Sequence, residues 1–251
     1  AGGDAVAFQA DVTDGGAITV LDRDGKLLDS WGQDLFTTPH GIWIGPEDEV
    51  FMADSNDHTV RKYTTSGELQ FTLGSQGKTG APGAPFNRPT RAALSKSGDL
   101  FVSDGYGGHR VHKFSPEGEL LLSWGRQGTG PGEFALLHNV WVDGLGRVFI
   151  CDRMNDRIQV FDERGVFLEQ WTDLEAPCGV HVRDDVVYVA EQGLRSGVSI
   201  WTASGELITR WRVNEDHDGR SAAHGICVDS LGSIYVSCVR GSPSVRVFRR
   251  I

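Results

Sequence analysis

Short apolar runs that alternate with polar residues and end in turn residues dominate this chain. Runs such as VFMADS, LFVSDG and VFICDR lie between segments rich in Gly, Asp, Ser and Asn. A period of two, bounded by such residues, predicts half-buried β-strands. No stretch with the period of a helix accompanies these runs, so we predict an all-β fold.

The predicted strands recur in a longer unit. The segments PHGIWIG, RPTRAAL, LLHNVWV, APCGVHV and AAHGICV put one residue each at an equivalent place, the repeat position: His40, Thr90, His138, Cys178 and His224. Intervals of 50, 48, 40 and 46 residues separate these positions. Periods of roughly 40 to 50 residues, each with several short strands, are typical of the blades of a β-propeller.

The number of units predicts the number of blades. Complete four-strand units are predicted at 37–74, 87–125, 136–172 and 176–212. Three strands each are predicted at 5–32, where an inner strand is missing, and at 221–251, where an outer strand is missing. We therefore predict a six-bladed β-propeller with incomplete first and last blades. A five-bladed ring is the weaker alternative, because both end units would then compete for the same third strand. Radial repetition lets all-β chains of this size form one domain, so residues 1–251 are predicted to be a single propeller domain.

Composition and charge exclude two classes of partner. The net charge is −10 and the isoelectric point is near 5.2, which argues against nucleic acid as a ligand, because binding to its backbone depends on Lys and Arg. No apolar run approaches the roughly 20 residues that cross a bilayer, so no membrane partner is expected either. The 33 glycines are spread over the turns and indicate tight connections rather than disorder.

The four cysteines do not have the spacing of a structural zinc cluster, because no C-x-x-C pair occurs. Cys227 and Cys238 lie on neighbouring predicted strands and could form a disulfide, but free buried thiols are the favoured interpretation. Cys178 shares the repeat position with the histidines. It could lie near a metal, although a small buried residue is the simpler explanation.

Three histidines occupy every second repeat position: His40, His138 and His224. If the blades close into a ring, alternate blades lie about a third of a turn apart, so three imidazoles can point at one spot on the axis. Three histidine ligands with an open fourth position are typical of catalytic zinc sites. Imidazoles also suit copper, iron or nickel, so another divalent transition metal is possible. The alternative is that each histidine has a structural role at the start of its strand.

Two glycine-rich segments, WGRQGTGPGEF at 124–134 and LGSQGKTGAPGAPFNRP at 73–89, resemble the signature of NHL repeats. Within that group, LFVSDGYGGHRVHKFSPEGELLLSWG and HNVWVDGLGRVFICDRMNDRIQVF resemble peptidyl-α-hydroxyglycine α-amidating lyase (peptidylamidoglycolate lyase) and its bacterial relatives. The resemblance implies a zinc ion on the three histidines of the repeat positions. It also implies that Tyr106, in the V-S-D-G-Y loop, is the catalytic base and that Arg153, in the D-R loop, contacts a substrate carboxylate.

The implied reaction breaks the N–C bond of an α-hydroxyglycine amide, or of a related small carbinol acid, to give an amide and glyoxylate without a redox cofactor. A metal that acidifies the substrate hydroxyl suits a nearby base such as Tyr106, and the planar guanidinium of Arg153 suits a carboxylate. The expected partner is therefore a small-molecule or peptide substrate with a carboxylate. Alternatively, Tyr106 caps a blade loop and Arg153 pairs with Asp152 or another carboxylate.

The remaining polar residues of the repeats are expected to be structural. Three aspartates recur at one blade position and are predicted to accept hydrogen bonds from the backbone of turns: Asp54, Asp104 and Asp152. Five histidines outside the repeat position are predicted to be structural or exposed to solvent: His58, His109, His112, His181 and His217.

The chain departs from the lyase pattern at three places. Asp14 lies near the position where the lyases have a further arginine, which removes one anion contact. Gly225 follows the third histidine, where the animal enzyme has a calcium-binding aspartate. This difference argues against a structural calcium ion, although the Ile42 carbonyl could still be one ligand. Gly107 replaces the cysteine that follows the loop tyrosine, so the corresponding disulfide cannot form.

Two functions from different classes fit these features. The first is the metal-dependent lyase. The second is a non-catalytic NHL propeller that binds a peptide or protein on one face, where any metal only stabilises the channel. A lactonase-type propeller is a weaker third hypothesis, because the acidic and amide calcium ligands of such enzymes have no counterparts at comparable positions.

Overall fold

A computed structural model shows small antiparallel sheets joined by tight turns. The structure describes residues 6–9, 18–193, 196–213, 222–239 and 245–249. The expectations for Asp14 and His217 lie outside these described residues. Within them, no helix is long and apolar enough to cross a membrane.

Residues 1–123 and 124–251 form two compact units. The first unit contains three sheets, each a meander in which neighbours in sequence pair antiparallel. Their strands are β1 (Val6–Gln9), β2 (Ile18–Leu21) and β3 (Leu27–Trp31); β4 (Pro39–Ile44), β5 (Val50–Asp54), β6 (Thr59–Tyr63) and β7 (Leu69–Gly74); and β8 (Arg91–Leu94), β9 (Leu100–Asp104), β10 (Arg110–Phe114) and β11 (Leu120–Trp124).

The second unit begins with a short parallel pair and continues with three further meanders. Its strands are β12 (Arg126–Gln127) and β13 (Glu133–Phe134); β14 (Leu137–Val142), β15 (Arg147–Asp152), β16 (Arg157–Asp162) and β17 (Phe167–Trp171); β18 (Pro177–Arg183), β19 (Val186–Glu191), β20 (Gly197–Thr202) and β21 (Leu207–Arg212); and β22 (Ala222–Val228), β23 (Ile234–Val239) and β24 (Val245–Phe248).

The core of each unit lies between consecutive sheets. In the first unit, Phe51 and Val60 of one sheet pack with Val102 and Phe114 of the next. In the second unit, an equivalent cluster joins the two four-stranded sheets that contain β15 and β19. The middle strands are therefore covered on both faces, which explains why β5 and β9 are buried at every position.

The predicted blades correspond to the observed sheets. Four-stranded sheets occupy 39–74, 91–124, 137–171 and 177–212, and the first and last sheets have three strands each among the described residues. Two features were missed. The glycine-rich segment 124–134 contains the parallel pair β12–β13, and a 3₁₀ helix spans Arg153–Asn155. A single turn of helix is too short to produce a helical period in the sequence.

Candidate metal centre and active site

The residue at the repeat position is the extra residue of a β-bulge in four of the sheets. In each of them, strand pairing skips the residue between its two neighbours: His40, His138, Cys178 and His224. A bulge interrupts the alternation of a strand and redirects a side chain, and bulges are common beside active sites. These four residues therefore have equivalent backbone positions, as their places in the repeat predict.

His40 binds two partners within the first unit. Its Nδ1 lies 2.8 Å from the carbonyl oxygen of Thr90, and its Nε2 lies 2.9 Å from the hydroxyl of Tyr106. A carbonyl oxygen can only accept, so Nδ1 carries the hydrogen and Nε2 of the neutral ring is an acceptor. The phenol therefore donates to Nε2. This places the predicted base directly against the nitrogen that a metal would use.

The segment before β8 fixes the loop that contains Tyr106. The backbone N–H of Asn87 donates to Asp104, and the side-chain amide of Asn87 donates to the Gly107 carbonyl at 3.1 Å. The N–H of Tyr106 donates to the carbonyl of Arg88 at 3.2 Å. The alternative role of Tyr106 as a loop cap explains this backbone bond. It does not explain the contact between the hydroxyl and His40.

His138 and His224 pack against each other within the second unit. Their ring centroids are 4.5 Å apart and their planes are nearly perpendicular, at 87°. Nδ1 of the buried His138 lies 2.7 Å from the carbonyl oxygen of Cys178, so this nitrogen also carries the hydrogen. The lone pair of the neutral ring is then on Nε2, the atom through which such a histidine binds a metal. Hydrogen bonds of this kind fix the orientation of metal-binding histidines.

Arg153 lies at the start of the 3₁₀ helix that follows β15. Its Nε is buried and has no hydrogen-bond partner among the described residues. Asp152 instead pairs with Arg157, at 2.8 Å from the carboxylate oxygen to Nε. The alternative in which Arg153 pairs with Asp152 is therefore wrong, and a buried donor of Arg153 remains for a ligand.

Cys178 is completely buried beside Arg153. Burial raises the pKa of the Cys178 thiol to about 12, although the Arg153 guanidinium opposes this shift. Since a thiol must lose its proton to be a good metal ligand, the side chain of Cys178 is a neutral group at physiological pH. Its contribution is the backbone carbonyl that orients His138. All four cysteines are free, as the favoured interpretation of the sequence predicted.

The recurring aspartates have the predicted structural role. Asp54 accepts from the backbone N–H of Thr38 at 2.9 Å, and Asp104 and Asp152 accept from the equivalent loops of their own sheets. Three of the remaining histidines also have structural contacts: His58 accepts from the Arg88 N–H, His112 is buried against Ser123, and His181 packs against Trp141.

The carbonyl groups and the arginine that contact the site residues were not predicted from the sequence. The carbonyl groups of Thr90 and Cys178 were not foreseen, because a main-chain acceptor has no signature of its own in a sequence. Arg88 was also missed, although its guanidinium lies 5.1 Å from the centroid of the Tyr106 ring. The signal was its place next to Pro89, immediately before a repeat position.

The described residues that could hold a metal ion are His40, His138 and His224. These are the three histidines that alternate along the repeats. Neutral imidazoles with one nitrogen fixed by a carbonyl are ordinary ligands of a divalent transition metal. The donor set therefore fits such an ion.

Known proteins match this chain in sequence. A family model described as a 6-bladed beta-propeller matches residues 86–189. NHL repeat-containing protein 3 from Homo sapiens is 36% identical over 187 residues, which cover 68% of this chain and 54% of the relative. Peptidyl-alpha-hydroxyglycine alpha-amidating lyase 1 from Drosophila melanogaster is 37% identical over 161 residues, which cover 59% of this chain and 29% of the relative. The chain thus spans about half the length of the first relative and less of the second.

Solved structures support the same fold. A protein of unknown function from Bacteroides caccae aligns with a TM-score of 0.72 and 12% identity, covering 98% of this chain and 89% of that chain. A virginiamycin B lyase from Staphylococcus aureus aligns with a TM-score of 0.63 and 14% identity, covering 98% and 88%. At these identities the likeness concerns the fold alone. Together with the six antiparallel sheets and the sequence relatives, it confirms that the chain is an NHL-type six-bladed β-propeller that resembles the peptidyl-α-hydroxyglycine α-amidating lyases.

Proposed function

We propose that this protein is a zinc-dependent lyase that cleaves the N–C bond of an α-hydroxyglycine amide, or of a related small carbinol acid, to an amide and glyoxylate. The observation that carries the proposal is the 2.9 Å contact between the Tyr106 hydroxyl and Nε2 of His40. It pairs a potential base with a potential metal ligand. Similarity to the alpha-amidating lyase of Drosophila melanogaster, at 37% identity, supports the reaction class.

His40, His138 and His224 would hold the metal. The carbonyl groups that bind Nδ1 of His40 and of His138 support this assignment, because they place the hydrogen on Nδ1 and the lone pair of each neutral ring on Nε2. At His40 the metal would take the place of the phenol hydrogen on Nε2, with the Tyr106 oxygen beside it. His224 is included because it occupies the same bulge position and its ring packs against His138. A bound zinc ion supplies a Lewis acid that makes the substrate hydroxyl more acidic.

Tyr106 and Arg153 would perform the remaining chemistry. As its phenolate, Tyr106 accepts the proton of the substrate hydroxyl, and the C=O bond of glyoxylate forms while the C–N bond breaks. The electron pair of that bond leaves with the amide nitrogen, which takes the proton back from Tyr106. No electrons are lost or gained overall, so no redox cofactor is needed. Arg153 binds the carboxylate through the buried donor that has no partner among the described residues.

A non-catalytic propeller is the second candidate function. The match to NHL repeat-containing protein 3 favours it, because that relative covers 68% of this chain whereas the Drosophila melanogaster lyase covers 59%. In this case the chain binds a peptide or protein on one face, and a metal would only stabilise the three histidines.

Metal content and turnover together test the proposal. We expect about one equivalent of zinc in the purified protein and release of glyoxylate from N-benzoyl-α-hydroxyglycine, with both abolished by a chelator and by His138→Ala. The control is His181→Ala, which removes a histidine outside the repeat position that packs against Trp141 and should leave zinc and activity unchanged. Zinc without turnover would favour the non-catalytic propeller, and a metal-free wild-type protein would refute the metal-dependent lyase.

A further inference from the structure

We infer that Arg88 is a second arginine that, in addition to Arg153, binds the carboxylate of the substrate, on the side of Tyr106, and thereby selects substrates that carry this group. The inference rests on the proposed function, because it treats Tyr106 as the group that receives the substrate hydroxyl. It adds a specificity-determining residue that the repeat pattern does not indicate. The residues that place Arg88 all belong to the first unit.

Hydrogen bonds fix the backbone of Arg88 at both its N–H and its carbonyl group. Its φ angle is 65°, in the left-handed region that a non-glycine residue rarely adopts. Its N–H donates to Nδ1 of His58 at 3.1 Å, and its carbonyl accepts from the N–H of Tyr106 at 3.2 Å. These two bonds compensate for the unfavourable angle. They hold the Cα of Arg88 next to the loop that contains the candidate base.

The side chain of Arg88 lies over the ring of Tyr106. The guanidinium carbon is 5.1 Å from the ring centroid, which is the geometry of a cation–π contact. A contact with the face of a ring does not occupy the hydrogen-bond donors of the guanidinium. Those N–H groups form the planar fork that binds a carboxylate with two hydrogen bonds.

The guanidinium of Arg88 has no carboxylate partner within the part of the chain that the structure describes. Other arginines of the same acidic chain are paired: Arg61 with Asp57, Arg147 with Asp143, Arg157 with Asp152 and Arg210 with Glu191. Arg88 is exposed, in a protein with 34 acidic and 24 basic residues. The Tyr106 ring, and not a carboxylate, therefore contacts the positive charge of Arg88.

The chemistry of the substrate explains why such a charge belongs at this place. In an α-hydroxyglycine amide, the carbon that carries the hydroxyl also carries the carboxylate. A hydroxyl that reaches Tyr106 therefore brings a negative charge next to the same ring. A guanidinium over the face of that ring is in position to bind this charge, and its long side chain can adjust the last distance without movement of the backbone.

A comparison of two substrates tests this role. For the zinc-loaded protein, Arg88→Gln should raise KM for N-benzoyl-α-hydroxyglycine by about tenfold or more, since a hydrogen bond to a charged group is lost. KM for the methyl ester of the same compound, which has no carboxylate, should not change, and kcat should fall little for either. Arg88→Lys should restore part of the affinity for the acid. The control is Arg164→Gln, which removes an exposed arginine paired with Asp162 in the second unit and should change neither KM.

Direct binding separates this inference from the proposed reaction. Calorimetry with N-benzoylglycine, which has the carboxylate but no hydroxyl and cannot react, should show binding to the wild type that weakens about tenfold in Arg88→Gln. If the wild type turns over neither substrate, the lyase is refuted, yet a loss of N-benzoylglycine binding in Arg88→Gln still supports a carboxylate site. No binding by the wild type, equal binding by both proteins, or equal effects on acid and ester would overturn the inference.

Discussion

Replacement of Gly41 by alanine should damage both the fold and the metal site, because this glycine allows close contact between two strands. A Cβ atom at position 41 would overlap the carbonyl oxygen of Thr90 and lie 2.9 Å from Cα of Arg91. These are backbone atoms, so the strand itself would have to move. The same Thr90 carbonyl accepts the hydrogen bond from Nδ1 of His40 at 2.8 Å, so the displacement reaches a candidate metal ligand directly.

The size of the effect follows from the clash. Overpacking of a well-packed region costs about 1–3 kcal/mol. In a chain of 251 residues, each kcal/mol lowers Tm by about 2–4 °C, so Gly41→Ala should lower Tm by about 2–12 °C. Loss of a hydrogen bond that orients a metal ligand typically weakens metal affinity about 10–100-fold. We expect a loss in that range for zinc.

Two further glycines make the test a graded series. Gly144→Ala is the control, because a Cβ there has no atom within 4 Å. Gly179→Ala should lie between the two, since its closest neighbour would be the His224 carbonyl oxygen at 3.1 Å. Tm is measured by calorimetry and zinc affinity by competition with a chelator. Equal values for Gly41→Ala and Gly144→Ala would show that the close approach of the strands is unimportant.

Three further changes test other parts of the structure. Tyr106→Phe should leave zinc content unchanged and lower turnover by about 10²-fold or more, because only the hydroxyl is removed; unchanged activity would exclude Tyr106 as the base. Asp152→Ala should reduce the free energy of unfolding in urea by about 3–5 kcal/mol, because the buried Arg157 loses the carboxylate that neutralises its charge and keeps only neutral hydrogen-bond partners. Asp162→Ala at an exposed pair should cost far less, and similar losses would contradict this explanation. Because burial raises the pKa of Cys178 to about 12 from the ordinary 9.0, the thiol ionises first in the unfolded chain, so stability should fall as pH rises from about 9 to about 12. Cys178→Ala should make that fall shallower, and an unchanged profile would rule out this cause.

The strands and their grouping could be predicted because each strand has its own local signal. Turn residues and alternating polarity bound every unit, so the predicted unit 136–172 differs from the observed sheet 137–171 by one residue at either end. The parallel pair β12–β13 was missed because it consists of two residues on each side within a glycine-rich segment. A strand that short has no period to detect.

The sequence predicted the side chains of the candidate site but not the backbone geometry that positions them. Equivalent positions along the repeats identified His40, His138 and His224, since equivalent positions in repeats have equivalent backbones. The β-bulges were not predicted, because the extra residue appears only when two strands are paired. Glycine directly after His40 and His224 was the available sign. Gly41 permits the close approach of β4 and β8, and Gly225 leaves room for the Ser237 side chain of the paired strand. A role for Arg88 could not be predicted, because it depends on the contact between its guanidinium and the Tyr106 ring, which only the structure shows.

The hydrogen bond from the Asn87 side chain to the Gly107 carbonyl, at 3.1 Å, makes the conformation of the Tyr106 loop independent of redox conditions. An amide–carbonyl bond is indifferent to thiol reductants, whereas a disulfide at this place would open in them. Since the four cysteines are free, dithiothreitol should change neither the structure of this loop nor any activity that depends on it. The same loop architecture can therefore operate in reducing and in oxidising surroundings.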